Sequence, residues 1–431
     1  MRIAFVVQRY GTEILGGSEL HCRLIAERMA ERHDVDVLTT CAVDYRTWQN
    51  EYPEGADRVR GVTVRRFAVS EERDLQAFNA YSDWIFNYPH SREDELEWVR
   101  RQGPWSPGLF EYLEKQHQQY ELLIFFTYLY APTVLGVKIS PAKSILVPTA
   151  HDEPAIHLDI YRDVFAAPAG IAFNTEVERI FLTRTFDIRA VAQETVGCGV
   201  DLPPVEAREV EDPRVPQEST SKERRPQERS AAPPAPDRGR PRLEERGSAF
   251  RRRQRLFGPF ALYGGRIEAG KGCEELFEYF GSYAKSGEAQ LVLMGSKLMP
   301  LPEEPWVRFA GRLSDSERFH ALEAATVVIV PSPYESLSLL ALEAFTVGTP
   351  VLANARSEVV VEHCRTSNAG LFYADRDEFV ECLKLLVADR KLREGLGRNG
   401  QQYVARNYRW DVILSKYDRL IATIRASRQR S

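Results

Sequence analysis

The chain has 431 residues, more than one hydrophobic core usually supports, so at least two folding units are expected. Hydrophobic residues make up 43% and the formal net charge is −5, which fits globular domains and argues against a general nucleic-acid binder. The six cysteines (Cys22, Cys41, Cys198, Cys273, Cys364 and Cys382) form no CxxC pair and no cluster with histidine. Free thiols in a reducing compartment are therefore expected rather than a zinc site or a disulfide framework.

The chain opens on an apolar strand, residues 3–7, with no cleavage-site pattern after it, so a cytoplasmic location is expected. A helix follows over 18–32, with Leu20, Leu24, Ile25 and Met29 at helical spacing, and then strands at 35–39 and 62–67. Residues 73–119 read as helical and aromatic, with Trp84, Tyr88, His90, Trp98 and Trp105. Those rings either stack on sugars or belong to an ordinary helical layer with buried aromatics. Further strands are expected at 122–126, 144–147, 170–173 and 190–195. The apolar stretch 122–137 contains Pro132 and is shorter than the roughly 20 residues that span a bilayer, so it reads as a strand, a loop and a short helix. This alternation favours a parallel sheet with ligands at the C-terminal strand ends.

Residues 203–256 are rich in Pro, Glu, Arg and Ser and almost free of aromatics, the composition of a disordered linker. RRRQRLFG at its end is expected to form one helical turn, with Arg251, Arg252 and Arg253 as a solvated linker end. So long a tether would leave the hinge free to open and close a cleft.

The second half carries the chemistry. In PFALYGGRIEAGKGC a strand over 260–263 leaves through Gly264 and Gly265, and a helix starts near 270–272. Arg266 and Lys271 then converge at a sheet edge, where a planar fork and a point charge suit a diphosphate. In PSPYESLSLLALEAFTVGTPVLA a strand over 326–330 and a turn over 331–334 precede a helix over 336–347, closed by Gly348 and Pro350. Glu335 and Glu343 would lie about 80° and about 12 Å apart on that helix, too far to share a proton. They suit two parts of one long ligand, with the free amides of the first turn between them as an anion site. The simpler reading is a helix-start carboxylate and a solvated helix glutamate.

These runs resemble the donor domain of family-4 retaining glycosyltransferases. GGRIEAGKG resembles the family's diphosphate loop, WVRFAGRLSDSE its next strand and helix, and PSPYESLSLLALEA its paired-glutamate motif. In the first half GGSE resembles its glycine loop, PTAHDEP its catalytic-histidine segment, and VGCGVDL the end of its acceptor domain. The resemblance implies an α/β chain of GT-B architecture: two Rossmann-like doubly wound domains facing a cleft. It implies an acceptor domain over 1–202, a linker over 203–256, a donor domain over 257–408, and a C-terminal helix over 409–431 crossing back to the first domain.

It also implies roles. His151 and Glu335 would be catalytic, His151 reaching the anomeric carbon and the donor sugar and Glu335 holding sugar hydroxyls. Gly16, Gly17, Arg266, Lys271, Ser338, Leu339 and Leu340 would hold the diphosphate, and Glu343 the ribose. The implied partners are a nucleotide-sugar donor and a glycan, lipid-linked or small-molecule acceptor, with no nucleic acid, no metal and no cofactor. A lipid-linked acceptor would bring the protein into peripheral contact with the inner membrane face. One departure stands inside the best motif: the family commonly has glycine where Ser338 stands, letting the backbone approach the diphosphate. Other readings on the same architecture are a nucleotide-sugar epimerase, a sugar phosphorylase, or a non-catalytic nucleotide-sugar-binding scaffold. The first two lack their signature residues here, and the third would show decay of Arg266, Lys271 and Glu335, all of which are present.

Overall fold

The computed structural model describes residues 1–14, 16–201 and 243–428. Eight strands form the first sheet: β1 (Arg2–Val6), β2 (Asp34–Thr40), β3 (Gly55–Val59), β4 (Val62–Phe67), β5 (Leu122–Phe126), β6 (Ser144–Val147), β7 (Gly170–Phe173) and β8 (Ala192–Thr195). Their order is β3-β4-β2-β1-β5-β6-β7-β8, parallel throughout except for β3 against β4. That antiparallel edge is a hairpin which the sequence reading did not include. Its turn residues Arg60 and Gly61 both take positive φ, the geometry that joins twisted strands tightly.

The second sheet holds β9 (Phe260–Ile267), β10 (Gln290–Lys297), β11 (Val307–Gly311), β12 (Val327–Val330), β13 (Val351–Asn354) and β14 (Gly370–Tyr373). It is parallel, in the order β11-β10-β9-β12-β13-β14. In each sheet the strand order runs outward in both directions from one central pair, β1/β5 in the first and β9/β12 in the second. Connections diverge there and leave a crevice at the strand ends. The candidate residues lie at the end of β9 and in the segments that follow β1, β6, β9 and β12. The two doubly wound sheets give the GT-B fold.

The stretch 122–137 is β5, a loop and the helix Ala131–Gly136, as its length and Pro132 required. No helix among the described residues is long and apolar enough to cross a membrane. All six cysteines are free, five of them buried.

The expected linker lies outside the described residues as far as 242, but its last part needs correction. Residues Leu243–Gln254 form a three-turn helix rather than a disordered segment. Phe250 is buried against Phe260, and Arg251 donates to Ala324 O at 2.5 Å and Gly258 O at 2.7 Å, so one buried aromatic and two carbonyl hydrogen bonds outweigh the polar composition. At the far end the helix Trp410–Arg428 packs back on β7 and β8. Lys416 donates to Val196 O at 3.2 Å and Arg419 reaches Glu194 at 2.6 Å, while Trp410 bonds Asp201 at 2.7 Å.

Candidate functional site

The second sheet supplies one wall. β9 continues four residues past the expected end, carrying Arg266 to the crevice, where its guanidinium sits 3.2 Å from Glu268. The next helix, Cys273–Ala284, is capped by Gly272 at φ +72, where an added Cβ would meet Pro331 O at 2.4 Å. Only glycine lets the lysine loop lie against the loop after β12. That contact brings Lys271 Nζ to within 2.8 Å of Glu335 Oε1.

Glu335 itself is not where periodicity placed it. The helix spans Leu339–Val347, three residues shorter at its start than expected, so Glu335 lies in the preceding loop and the two glutamates do not share a helix. Ser338 causes the delay: it sits in the left-handed region at φ 58, ψ 72, which no residue inside a right-handed helix adopts. A non-glycine residue held there costs on the order of 1–3 kcal/mol. Ser338 O accepts from Ala341 and Leu342, and the amides of Leu339 and Leu340 begin the helix without intrahelical partners.

Glu343 is buried rather than solvated, and pairs with Arg318 Nη2 at 2.9 Å. Burial pushes its carboxyl upward, against the opposing pull of Arg318. Arg318 comes from the helix Asp315–Ala324, fixed by a Ser314–Glu317 capping box. The sequence reading missed it, because nothing in a 25-residue separation marks the pair; an arginine four residues after the helix-start Ser314 was the one available cue.

The first sheet supplies the opposite wall. Gly16 precedes the helix Gly17–Ala30, and a Cβ on it would fall 1.9 Å from the Glu19 carboxylate. That carboxylate is buried and takes Arg9 Nε at 2.9 Å and Nη2 at 2.5 Å. Burial raises the Glu19 pKa, but Arg9 outweighs it and holds the group below the usual carboxylate range. Thr149, at φ +50, turns the chain after β6 and presents His151, whose Nε2 is 3.5 Å from Glu153 Oε2. Tyr128 donates to the other Glu153 oxygen at 2.5 Å. Burial would raise Glu153, yet the His151 and Tyr128 hydrogen bonds keep it below its ordinary value. Behind this turn, buried Glu178 accepts from the amides of Ala150 and Asn174 at 2.5 and 2.6 Å. Burial pushes Glu178 up to about 8.

Two contacts between the walls flank the site. Tyr45 of the first donates to Glu268 of the second at 3.1 Å, with Arg266 over its ring at 4.6 Å. On the other side the His151 ring stacks on Tyr334, centroids 5.3 Å apart at 25°. Between these contacts lies a cavity of about 260 Å³ lined by Gly16, Gly17, His151, Arg266, Lys271, Glu335, Ser338 and Leu339. A second cavity of about 270 Å³ opens from it past Gly264 to Leu340, Glu343 and Arg318. All ten candidate residues thus line two communicating spaces. The aromatic layer does not: Trp98 is buried and bonds Ser82 at 2.9 Å, Trp105 packs on Phe110, and Trp84 on Tyr81. Its tryptophans pack helices to one another and line neither cavity.

Residues 250–403 match the family model of glycosyl transferases group 1. The lipopolysaccharide core biosynthesis glycosyltransferase LpsE of Rhizobium meliloti is 32% identical over 119 residues, 27% of this chain and 34% of that protein. The MMP alpha-(1->4)-mannosyltransferase of Mycolicibacterium hassiacum is 34% identical over 128 residues, 28% of this chain and 31% of that one. The chain therefore spans about a third of the length of these curated relatives. Solved structures agree over nearly the full chain at low identity, which speaks to the fold. Sucrose-phosphate synthase from Thermosynechococcus elongatus superposes with a TM-score of 0.64 at 18% identity, covering 99% of both chains. HepE from Anabaena, solved in complex with UDP and glucose, gives 0.65 at 14% identity, covering 99% of this chain and 100% of its own.

Proposed function

We propose that the protein transfers a hexose-type sugar from a nucleotide-diphosphate sugar to the hydroxyl of a glycan, lipid-linked or small-molecule acceptor, with retention and without a metal. The observation that carries this reading is the Lys271–Glu335 pair at 2.8 Å, which sits where the two cavities meet and lines both. The similarity of residues 250–403 to group 1 glycosyltransferases, and the UDP-sugar complexes of HepE, support the same substrate class.

In this reading the ribose lies toward Glu343 and Arg318, the diphosphate between Arg266, Lys271 and the Leu339 and Leu340 amides, and the sugar between Glu335 and His151. As the C1–phosphate bond breaks, Lys271 and Arg266 meet the charge growing on the leaving diphosphate, the point at which a fixed cation lowers a barrier most. The acceptor oxygen attacks the same face, forming the new C1–O bond, and its proton passes to the departing phosphate oxygen. No carboxylate nucleophile is required. Glu153 holds the His151 ring on the sugar side of the cavity. Localisation in the cytoplasm, with peripheral contact at a membrane face where the acceptor is lipid-linked, belongs to the same proposal.

The stereochemistry is testable with water as acceptor. Incubated with UDP-, GDP- and ADP-hexoses of α configuration in the presence of EDTA, the enzyme is expected to release the α-hexose first, as seen by proton NMR. First release of the β anomer, or dependence on an added divalent cation, would contradict the mechanism.

A further inference from the structure

Ser338 occupies a left-handed backbone position directly before the two amides that the functional reading assigns to the diphosphate, so something must hold it there. The side chain of Ser338 does not, since it makes no capping hydrogen bond. The neighbouring carbonyl, Leu337 O, is instead engaged by His363 Nε2 at 2.9 Å, from the helix Glu358–Ser367. A carbonyl only accepts, so Nε2 carries the proton and Nδ1 is the acceptor. Nδ1 faces Tyr403 Oη at 3.0 Å, from the helix Arg390–Asn407, which donates to it and fixes the ring. His363 is 2% exposed, and Tyr403 and Tyr408 stand edge-on to its ring with centroids 5.9 Å away. Burial lowers its pKa to about 4, so it stays neutral at pH 7 and keeps this tautomer. It lines neither cavity and cannot touch a donor.

We infer that His363, oriented by Tyr403, is the positioning residue that holds the Leu337–Ser338 turn in its left-handed conformation and so aims the Leu339 and Leu340 amides at the donor diphosphate. Glycine at 338 would adopt that conformation without strain; serine adopts it because the carbonyl before it is tied down from behind. The histidine therefore offsets the departure of this chain from the glycine that the resembling motif carries.

The inference rests on the donor-site reading, and one titration series separates the two. The affinity for UDP, GDP and ADP is measured by calorimetry for the wild-type protein, His363→Ala, His363→Gln, Ser338→Gly and the double variant Ser338→Gly/His363→Ala, with circular dichroism to check the fold. His363→Ala is expected to weaken the preferred diphosphate about tenfold, about 1.4 kcal/mol. His363→Gln, whose amide can both donate to Leu337 and accept from Tyr403, should recover most of that loss. In the Ser338→Gly background the same His363→Ala change should cost less than threefold, because glycine needs no tether. A merely structural histidine would weaken binding equally in both backgrounds, and that equality, or an unchanged affinity in His363→Ala, overturns the inference while leaving the donor site intact. Should the wild-type protein bind none of the three diphosphates, the donor-site reading falls and the inference with it. If His363→Ala does not fold, His363→Gln and the double variant still decide: tenfold weaker binding by both would overturn it.

Discussion

Four cations at the cleft are each met by a carboxylate: Lys271 by Glu335, Arg266 by Glu268, Arg318 by Glu343, and Arg9 by Glu19. In the proposed reading, a diphosphate entering this space would exchange carboxylate partners for phosphate ones, and the pairs keep the cations preorganised without leaving them bare in a low-dielectric crevice. Lys271 and Glu335 were legible in the sequence because each stands next to a glycine or proline turn after an apolar strand. Arg318, Arg9, Glu19 and His363 were not, since their partners come from elements whose contact only the fold creates. Buried histidines also set an acid limit. His21, bonded to Gly197 O at 3.2 Å, and His363 are both lowered by burial to about 4. The unfolded chain binds their protons near 6.5, so between 6.5 and 4 it holds more protons than the native state, and stability falls as pH drops through that window. Their full contribution is present above 6.5. Denaturant titrations at pH 7 and 5 should show a loss of about 1–2 kcal/mol per histidine at pH 5, smaller in His363→Gln. Equal pH dependence in that variant would show that His363 does not titrate this way.

At the level of elements, strands with continuous apolar runs, such as Leu122–Phe126 and Val327–Val330, were readable because both faces of a parallel strand are buried. Helix starts were less so. Residues 336–347 carry an uninterrupted helical pattern, yet the left-handed Ser338 holds the start back to Leu339. The helix Leu243–Gln254 shows the opposite failure, its arginines masking one buried aromatic. Phe250 is 2% exposed and sits on Phe260. Its replacement by alanine should cost about 3–5 kcal/mol in denaturant unfolding, as for a core aromatic. A change under about 0.5 kcal/mol, the scale of a surface position, would restore the linker reading.

Across the whole molecule, both sheets present their central divergence to the same crevice, and the walls meet through His151 on Tyr334 and Tyr45 on Glu268. The doubly wound alternation was visible in the sequence, as was the order of the motifs; the facing of the two crevices and the return of the Trp410–Arg428 helix to β7 and β8 were expected from the resemblance alone, because no local pattern encodes contacts between distant elements. The account predicts that one ligand bridges both walls, and binding tests it most directly. Calorimetric titration of the wild-type protein with UDP, GDP and ADP, beside Lys271→Ala, should find one diphosphate bound selectively and about 30-fold more weakly in the variant, about 2 kcal/mol, the value of a charge-assisted hydrogen bond. The variant should keep its melting temperature within a few degrees. Binding of none of the three, or equal affinity with and without Lys271, would contradict the assignment of this cleft as a nucleotide-sugar site.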